Sequence, residues 1–292
     1  MSARADVIQG LKNRRPEWSP WITVIEAVVN EAAGTTWDAA VPDLGSNPRR
    51  ASAPLLAGAA VTVDERALRR LLDRLLDLAA RVPALTASSA AIRQGIDLAQ
   101  VFSDSLRQEA DSATEGRTSS GPDADGFRAI SSLLPVPFLH ACARQWRDSV
   151  SPGWEEGYCP VCGAWPAFAE LRGIERTRYV RCGRCGGEWL GRILHCVYCG
   201  TRDHDQLAAL VPEKAGSSGA IDACNNCRGY LKVFTRLQGC APELVLLEDL
   251  RSVDLDVAAI AQGYARPAGS GYRLDVAVTT SRTARRFFAW NT

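Results

Sequence analysis

Eight of the ten cysteines in this 292-residue chain lie between residues 159 and 227, and this stretch constrains the fold more than any other. A C-x-x-C pair sits on one tight turn, a knuckle, with both sulfurs facing one point. Two knuckles provide the four-sulfur tetrahedron that Zn²⁺ and iron accept. Glycine follows three of the pairs and lets the backbone turn so that N–H groups reach the sulfurs. Four pairs so close together indicate metal sites. The pairs are Cys159/Cys162, Cys182/Cys185, Cys196/Cys199 and Cys224/Cys227.

The spacing of the pairs predicts which of them share an ion. Nineteen residues separate Cys162 from Cys182, and twenty-four separate Cys199 from Cys224, so each gap suits an outgoing and a returning strand. The simplest arrangement is two tandem modules, each with one four-thiolate site. Their similar order of knuckle, half-apolar run and knuckle indicates an ancient duplication. Disulfides are the alternative, but closely spaced C-x-x-C pairs form strained, reducible bridges.

The metal itself is less constrained than its ligands, because thiolate tetrahedra suit both iron and zinc. The run Cys159-Pro160-Val161-Cys162-Gly163 is a knuckle of the kind that rubredoxins use, so iron is favoured and zinc is possible. His195 and His204 adjoin the second site but are interpreted as neighbours and not as ligands. Cys142 and His140 lie among apolar residues and are interpreted as core residues.

The chain divides into regions of different character. Residues 1–150 carry helical apolar patterns and predict an all-α N-terminal domain. Residues 151–195 and 196–267 predict two tandem rubredoxin-like or zinc-ribbon four-cysteine modules, the second with short helices. Residues 268–292 form a tail that the sequence does not assign. The predicted fold class is therefore α+β and multidomain.

Several individual elements can be predicted from local patterns. Asp64 caps the clearest helix, in which leucines recur at helical spacing. A further helix is expected over residues 88–103, and one helix or a broken pair over residues 127–146, where prolines interrupt the pattern. Trp189-Leu190 and Ile193-Leu194 are strand-like fragments between the knuckles.

Composition excludes some classes of function. The net charge is +1, so bulk electrostatics do not favour nucleic acid or a membrane surface as a partner. The first 15 residues contain no apolar stretch of the secretory kind, and the longest apolar run is too short to span a bilayer. We therefore expect a cytoplasmic protein without membrane insertion, where thiols stay reduced.

Six arginines lie close in sequence to the first site. They would offset the formal charge of −2 on four thiolates with a divalent ion. Alternatively, they form a basic patch for nucleic acid, which overall neutrality makes the weaker interpretation. These residues are Arg172, Arg176, Arg178, Arg181, Arg184 and Arg192.

No catalytic residue is predicted, and the chain is not expected to be an enzyme. It contains no nucleophile–base pair, phosphate loop or catalytic carboxylate motif. A closed four-thiolate site also leaves no open coordination position. Two alternatives stay open: a zinc-ribbon nucleic-acid-binding protein, and a thiol-disulfide or sulfur-transfer enzyme.

Over about residues 157–266 the sequence resembles the formate dehydrogenase accessory protein family, FdhE. The matching residues are Tyr158-Cys159-Pro160-Val161-Cys162-Gly163, Arg178-Tyr179, Cys182 and Cys185 with Glu188-Trp189, Cys196 and Cys199, Asp222-Ala223-Cys224-Asn225-Asn226-Cys227, Gly229-Tyr230-Leu231-Lys232, Glu248-Asp249-Leu250, and Gln262-Gly263-Tyr264-Ala265-Arg266. The tail after residue 268 departs from the family pattern.

The resemblance implies a cytoplasmic maturation factor without enzymatic activity. Such a protein would bind the catalytic subunit of formate dehydrogenase and hold iron through the eight cysteines. The arginines between residues 172 and 192 would then be candidates for the partner-binding surface. The oligomeric state is left open.

Overall fold

The structure, a computed structural model, describes residues 3–45, 52–82, 96–108, 122–212 and 219–281. Its helices are α1 (Ala3–Arg14), α2 (Ser19–Ala32), α3 (Glu65–Ala79), α4 (Leu98–Arg107), α5 (Pro122–Ser131), α6 (Val136–Gln145), α7 (Val245–Arg251) and α8 (Val253–Ala261). Its strands are β1 (Ala60–Asp64), β2 (Pro166–Arg172), β3 (Thr177–Cys182), β4 (Glu188–Leu190), β5 (Leu207–Leu210), β6 (Gly219–Cys224), β7 (Tyr230–Arg236) and β8 (Ala277–Ser281). Helices and sheets occur together, so the α+β class is confirmed.

The N-terminal helices form where the sequence pattern predicts them. The Asp64 carboxylate accepts a hydrogen bond from the Ala67 N–H at 2.8 Å and so caps α3, whose leucine face is buried. Helices α5 and α6 divide the predicted helical stretch near Pro135. Helix α4 extends past the predicted end at residue 103, and residues 88–95 lie outside the described residues.

The two cysteine modules form one six-stranded sheet with the order β4-β3-β2-β7-β6-β5. Each module is a three-stranded antiparallel unit, and a parallel pairing of β2 with β7 joins the two. In both units the middle strand ends on the first cysteine of the second knuckle, Cys182 in β3 and Cys224 in β6. The repeated order that the sequence predicts is therefore present, within a single continuous sheet.

A second, two-stranded sheet links the N-terminal region to the tail. Strand β1 pairs in parallel with β8, from Ala60 opposite Ala277 to Asp64 opposite Ser281. Leu274 and Val276 of the tail are buried in the same core as the N-terminal helices. The tail that the sequence leaves unassigned thus completes the N-terminal region, which contains a strand besides its helices.

The largest hydrophobic core crosses the predicted boundary at residue 150. Phe102 and Phe138 of the helical region belong to the same buried cluster as Cys159, Val180 and the other cysteines of the first module. One smaller cluster lies within the second module, and two others join β2 of the first module to β7 of the second. Whether residues 1–150 fold as a separate unit stays a prediction.

One predicted strand fragment is wrong. Ile193 and Leu194 follow the end of β4 and are 65% and 67% exposed. Leu194 has a φ of 52°, a left-handed conformation that a strand cannot contain. The two residues belong to the turn that carries the chain from the first module to the knuckle at Cys196.

Candidate metal centres

All four knuckles have the same backbone geometry. The N–H of each leading cysteine donates to the carbonyl oxygen five residues later, at distances between 2.9 and 3.0 Å. The residue four positions after each leading cysteine has a positive φ, which explains the glycines at residues 163, 186 and 200. The fourth knuckle has Arg228 at this position, with a φ of 58°. Its guanidinium lies 4.1 Å from the centroid of the Tyr264 ring and donates to the carbonyls of Gln262 and Gly263.

The structure brings the eight cysteines together in the two groups that the spacing predicts. Within each group the four Sγ atoms lie within 4.8 Å of one another. The closest Sγ–Sγ distances are 3.5 Å in one group and 3.6 and 3.7 Å in the other. Metal–sulfur bonds of about 2.3 Å in a tetrahedron place sulfurs about 3.8 Å apart, so both groups could hold an ion. The first centre is Cys159, Cys162, Cys182 and Cys185, and the second centre is Cys196, Cys199, Cys224 and Cys227.

The first centre is sealed inside the protein. Its four cysteines are all 0% exposed. The knuckle at Cys159 is held from outside, because the N–H groups of Leu55 and Leu56 donate to Pro160 and Val161, and the Tyr272 N–H donates to Gly163. A Cβ on Gly186 would lie 2.5 Å from the Pro242 carbonyl oxygen. The segment at Pro242 therefore packs tightly on the knuckle that contains Cys182 and Cys185.

The electrostatics of the first centre fit a cation. Burial raises the pKa of the Cys159 thiol well above its usual value. The pKa of Cys185 is also raised, first by the thiol of Cys159 and then by its other sulfur neighbours. Burial acts in the same direction on Cys182, but hydrogen bonds from the surrounding thiols outweigh it and lower that pKa. Four buried thiols therefore cannot all ionise without a positive charge among them.

The second centre lies at the surface. Cys199 and Cys227 are exposed, whereas Cys196 and Cys224 are buried. Burial is the largest single contribution to the pKa of Cys199 and raises it, but hydrogen bonds, first from the Thr201 backbone and then from the Asn226 side chain and the neighbouring thiols, together outweigh burial. They lower the pKa of Cys199 to about 7. The Asn226 amide donates to the Cys199 sulfur at 3.5 Å.

The histidines of this part of the chain stand outside both groups. His204 is 81% exposed and lies beside Asp205. Around the first centre, Cys142 is fully buried, and the His140 ring lies against Gly186. Burial lowers the pKa of His140 to about 4, so its imidazole is neutral. Both are core residues, as predicted, but the sequence did not indicate that they pack against the first centre.

Most of the arginines near the first centre bond to other groups of the protein and do not form an exposed basic patch. The prediction of such a patch is therefore wrong for most of them. Arg181 is 1% exposed and pairs with Glu170 at 3.0 Å. Arg178 pairs with Asp222 at 2.6 Å, and Arg172 pairs with Glu170 and Glu188. Arg184 donates to the carbonyls of Ser105 and Leu106. Carboxylates between 2 and 44 residues away in the sequence therefore pair with three of these arginines, and backbone carbonyls accept from the fourth.

A second ionic cluster docks α7 and α8 on the sheet. Lys232 is 0% exposed and pairs with Asp249 at 2.6 Å and with Asp256 at 2.8 Å. Arg266 pairs with the same two carboxylates. Three of these residues belong to motifs that carry the family resemblance, but the sequence gave no indication that they meet in one cluster.

No protein-family model matches the chain. The chain is 34% identical over 143 residues to a protein named FdhE homolog from Aquifex aeolicus, which covers 47% of this chain and 48% of that protein. It is 31% identical over 116 residues to Protein FdhE of Escherichia coli O127:H6, covering 39% and 37%. The chain thus spans about half or less of the length of these curated relatives.

A solved structure extends the similarity to the whole fold. The crystal structure of the FdhE protein from Pseudomonas aeruginosa matches with a TM-score of 0.56 and 20% identity, over 93% of this chain and 94% of that one. This chain resembles the FdhE proteins. The family resemblance that the cysteine motifs predict is therefore confirmed.

None of the helices in the described part of the chain combines the length and the apolar character that crossing a bilayer requires.

Proposed function

We propose that this protein is a metal-binding accessory factor needed for the formation of active formate dehydrogenase, and that it binds the catalytic subunit of that enzyme. The proposal rests on one observation above all. Two four-thiolate groups of tetrahedral dimensions occur in a chain that resembles FdhE proteins in both sequence and fold. In this proposal the protein acts in the cytoplasm, as a partner and not as a catalyst.

Each cysteine group would hold one metal ion, with iron favoured and zinc possible. Bound there, the ion supplies a cross-link between two knuckles and contributes folding free energy. Four sulfurs around one ion fill its coordination sphere, which leaves no position for a substrate. In this proposal the protein therefore acts by presenting a surface to its partner, and not by binding a substrate at the metal.

The nucleic-acid alternative loses its main support. It depends on exposed arginines beside the cysteine modules, and Arg172, Arg178 and Arg181 are paired with carboxylates and largely buried. A salt-dependent shift of DNA or RNA by the protein would restore that alternative.

The test combines metal analysis with capture of the partner. Protein purified without oxygen should contain about two equivalents of metal, and tetrathiolate iron should give a visible absorption spectrum that zinc lacks. Co-expression with the catalytic subunit of formate dehydrogenase from the same source should give a co-purifying complex. Metal-loaded protein that captures no catalytic subunit would overturn the proposed partner.

A further inference from the structure

The third knuckle, residues 196–200, has little support from its own neighbours in the chain. Ile193 and Leu194, which precede it, are exposed, and so are residues 202–205, which follow it. Between residues 193 and 205 the buried residues are Cys196 and Val197, and Tyr198 is partly buried. The position of the third knuckle is therefore decided by the groups that Val197 and Tyr198 contact.

Val197 makes a backbone contact with the first module. A Cβ on Gly157 would lie 1.6 Å from the Val197 carbonyl oxygen, so no side chain fits at residue 157. The Val197 side chain belongs to a small buried cluster with Ala169 of β2 and two residues of β7. Gly157 comes two residues before Cys159, the first ligand of the first centre. The third knuckle thus rests on the segment that leads into the first centre.

Tyr198 contacts both the first module and the fourth knuckle. Its ring packs edge-on against the ring of Trp165, with 5.3 Å between the centroids. The same ring lies close to Gly229, where a Cβ would be 2.6 Å from it. The Tyr198 hydroxyl donates to the Tyr230 carbonyl at 2.9 Å. The first module therefore helps to place both halves of the second centre through this one side chain.

Gly157 and Trp165 flank the first knuckle, and we call these two residues the platform. Two ligands of the first centre, Cys159 and Cys162, lie between them in the chain. The Cys159 N–H donates to the Ala164 carbonyl at 2.9 Å and brings the two ends of the knuckle together. Ligand turns of this kind are rarely formed before the ion is bound. An ion at the first centre would therefore fix the platform.

The first centre has support that does not depend on the second module. The N–H groups of Leu55, Leu56 and Tyr272 donate to its first knuckle, and all three residues lie outside residues 196–267. Its four cysteines are fully buried, whereas Cys199 and Cys227 of the second centre are exposed. The first centre can therefore form while the second is empty, but the third knuckle loses its support when the first is empty.

We infer that Gly157 and Trp165 position the third knuckle, so that the second centre binds its ion tightly only after the first centre is filled. The inference rests on the part of the proposed function in which each cysteine group holds one ion. The coupling between the centres is a difference in affinity, which a titration can measure. An ion at the exposed centre would then show that the buried centre is complete.

The order of filling can be followed in the full-length protein. Metal-free, reduced protein is titrated with an NMR-active isotope of cadmium, a divalent ion that soft thiolate ligands accept. The two centres should give separate resonances, and Cys227→Ser, which removes a ligand of the second centre, assigns its resonance. The first-centre resonance should be complete at about one equivalent, before the second appears. Growth of both resonances together from the start would overturn the inferred order.

Two variants test the platform itself. Gly157→Ala places a Cβ against the Val197 carbonyl, and Trp165→Leu removes the ring beside Tyr198. In a competition with a chelator, each should weaken cadmium binding at the second centre by about tenfold or more and leave the affinity of the first unchanged. The control is Gly153→Ala, where the Cβ would meet only the Ser151 side chain, at 3.8 Å, and neither affinity should change.

The possible outcomes separate the inference from the proposed function. If both platform variants bind the second ion as tightly as the unmodified protein does, the inference fails and the proposed metal binding stands. A variant that weakens both centres equally would show general damage and would also overturn the positioning role. If the unmodified protein binds fewer than two ions, the proposed metal binding itself fails. If Gly157→Ala does not fold, Trp165→Leu decides between these outcomes.

Discussion

The two cysteine centres share one knuckle geometry, but the surroundings of the first are those of a core and the surroundings of the second are those of a surface. The first centre belongs to the same buried cluster as the N-terminal helices. In the second centre, Cys199 and Cys227 face solvent. Repetition of a motif therefore fixes the local turn, while the chain that packs around it decides what the site does for the molecule.

The first centre occupies a junction between three parts of the chain. Residues 55 and 56 and residue 272 all donate backbone hydrogen bonds to its first knuckle. The second centre has fewer contacts of this kind, among them the bond from the Ala265 N–H to the Arg228 carbonyl. We therefore expect the first centre to stabilise most of the molecule and the second to stabilise its own module.

The largest predicted effect is that of Cys182→Ser. The change removes one ligand from a fully buried site, and structural tetrathiolate sites contribute on the order of 10 kcal/mol to folding. Because the core crosses residue 150, the helical signal in circular dichroism should fall together with the metal content. If the helical signal is retained and protease cuts selectively near residue 150, the region 1–150 folds separately, as the sequence alone predicts.

The next effect concerns the ionic cluster of the second module. Lys232→Ala leaves the carboxylates of Asp249 and Asp256 short of a cation under α7 and α8, which should cost about 3–5 kcal/mol in urea unfolding. The control is Arg15→Ala, which breaks an exposed ion pair with Asp254 and should cost about 1 kcal/mol or less. Equal costs would mean that burial does not distinguish these pairs.

A smaller change in stability is expected for Cys227→Ser. It should release about one equivalent of metal, because one ligand of the second centre is lost, and should leave the helical signal in place. Metal analysis and circular dichroism measure both. Cys240→Ser, outside both groups, is the control and should keep both ions. Unfolding as extensive as that of Cys182→Ser would remove the contrast between the centres.

The smallest effect is a shift in pH dependence. Hydrogen bonds outweigh burial and lower the pKa of Cys199 to about 7, and one of them comes from Asn226. Asn226→Leu removes that donor, so the pKa should rise and a proton should displace the metal at higher pH. With a chromogenic chelator, half-release from the second centre should shift upward by less than about one pH unit. The pH at which the first centre releases half of its metal should not change.

The sequence predicts the features of this molecule that depend on local spacing. The grouping of the cysteines follows from the gaps between knuckles, and the helix after Asp64 follows from its cap and its leucine pattern. The pairing of β2 with β7 has no such signal, because parallel strands from different modules meet only in three dimensions. Ile193 and Leu194 have apolar side chains typical of a strand, but they occupy a turn beyond a sheet edge.

The arginines also show that the local sequence does not predict which charged side chains are buried. Arg178 and Arg181 look like surface charges in sequence because their partners, Asp222 and Glu170, lie up to 44 residues away. Likewise, Lys232 is typical of an exposed position, yet it is buried and its ammonium pairs with Asp249 and Asp256, which lie beyond β7 in the chain. Charge burial depends on contacts between distant segments, which no local pattern contains.

The pairing of β1 with β8 has a consequence for synthesis on the ribosome. Thr62 and its neighbour across the strands, Thr279, are 217 residues apart in the chain. At roughly 5–20 residues per second, translation takes about 10–40 s to produce β8 after β1 has been made. During that interval β1 presents an unpaired edge, and Leu274 and Val276 have not yet entered the core. A chain with this topology therefore needs protection of the β1 edge and of the incomplete core until its last segments have been made.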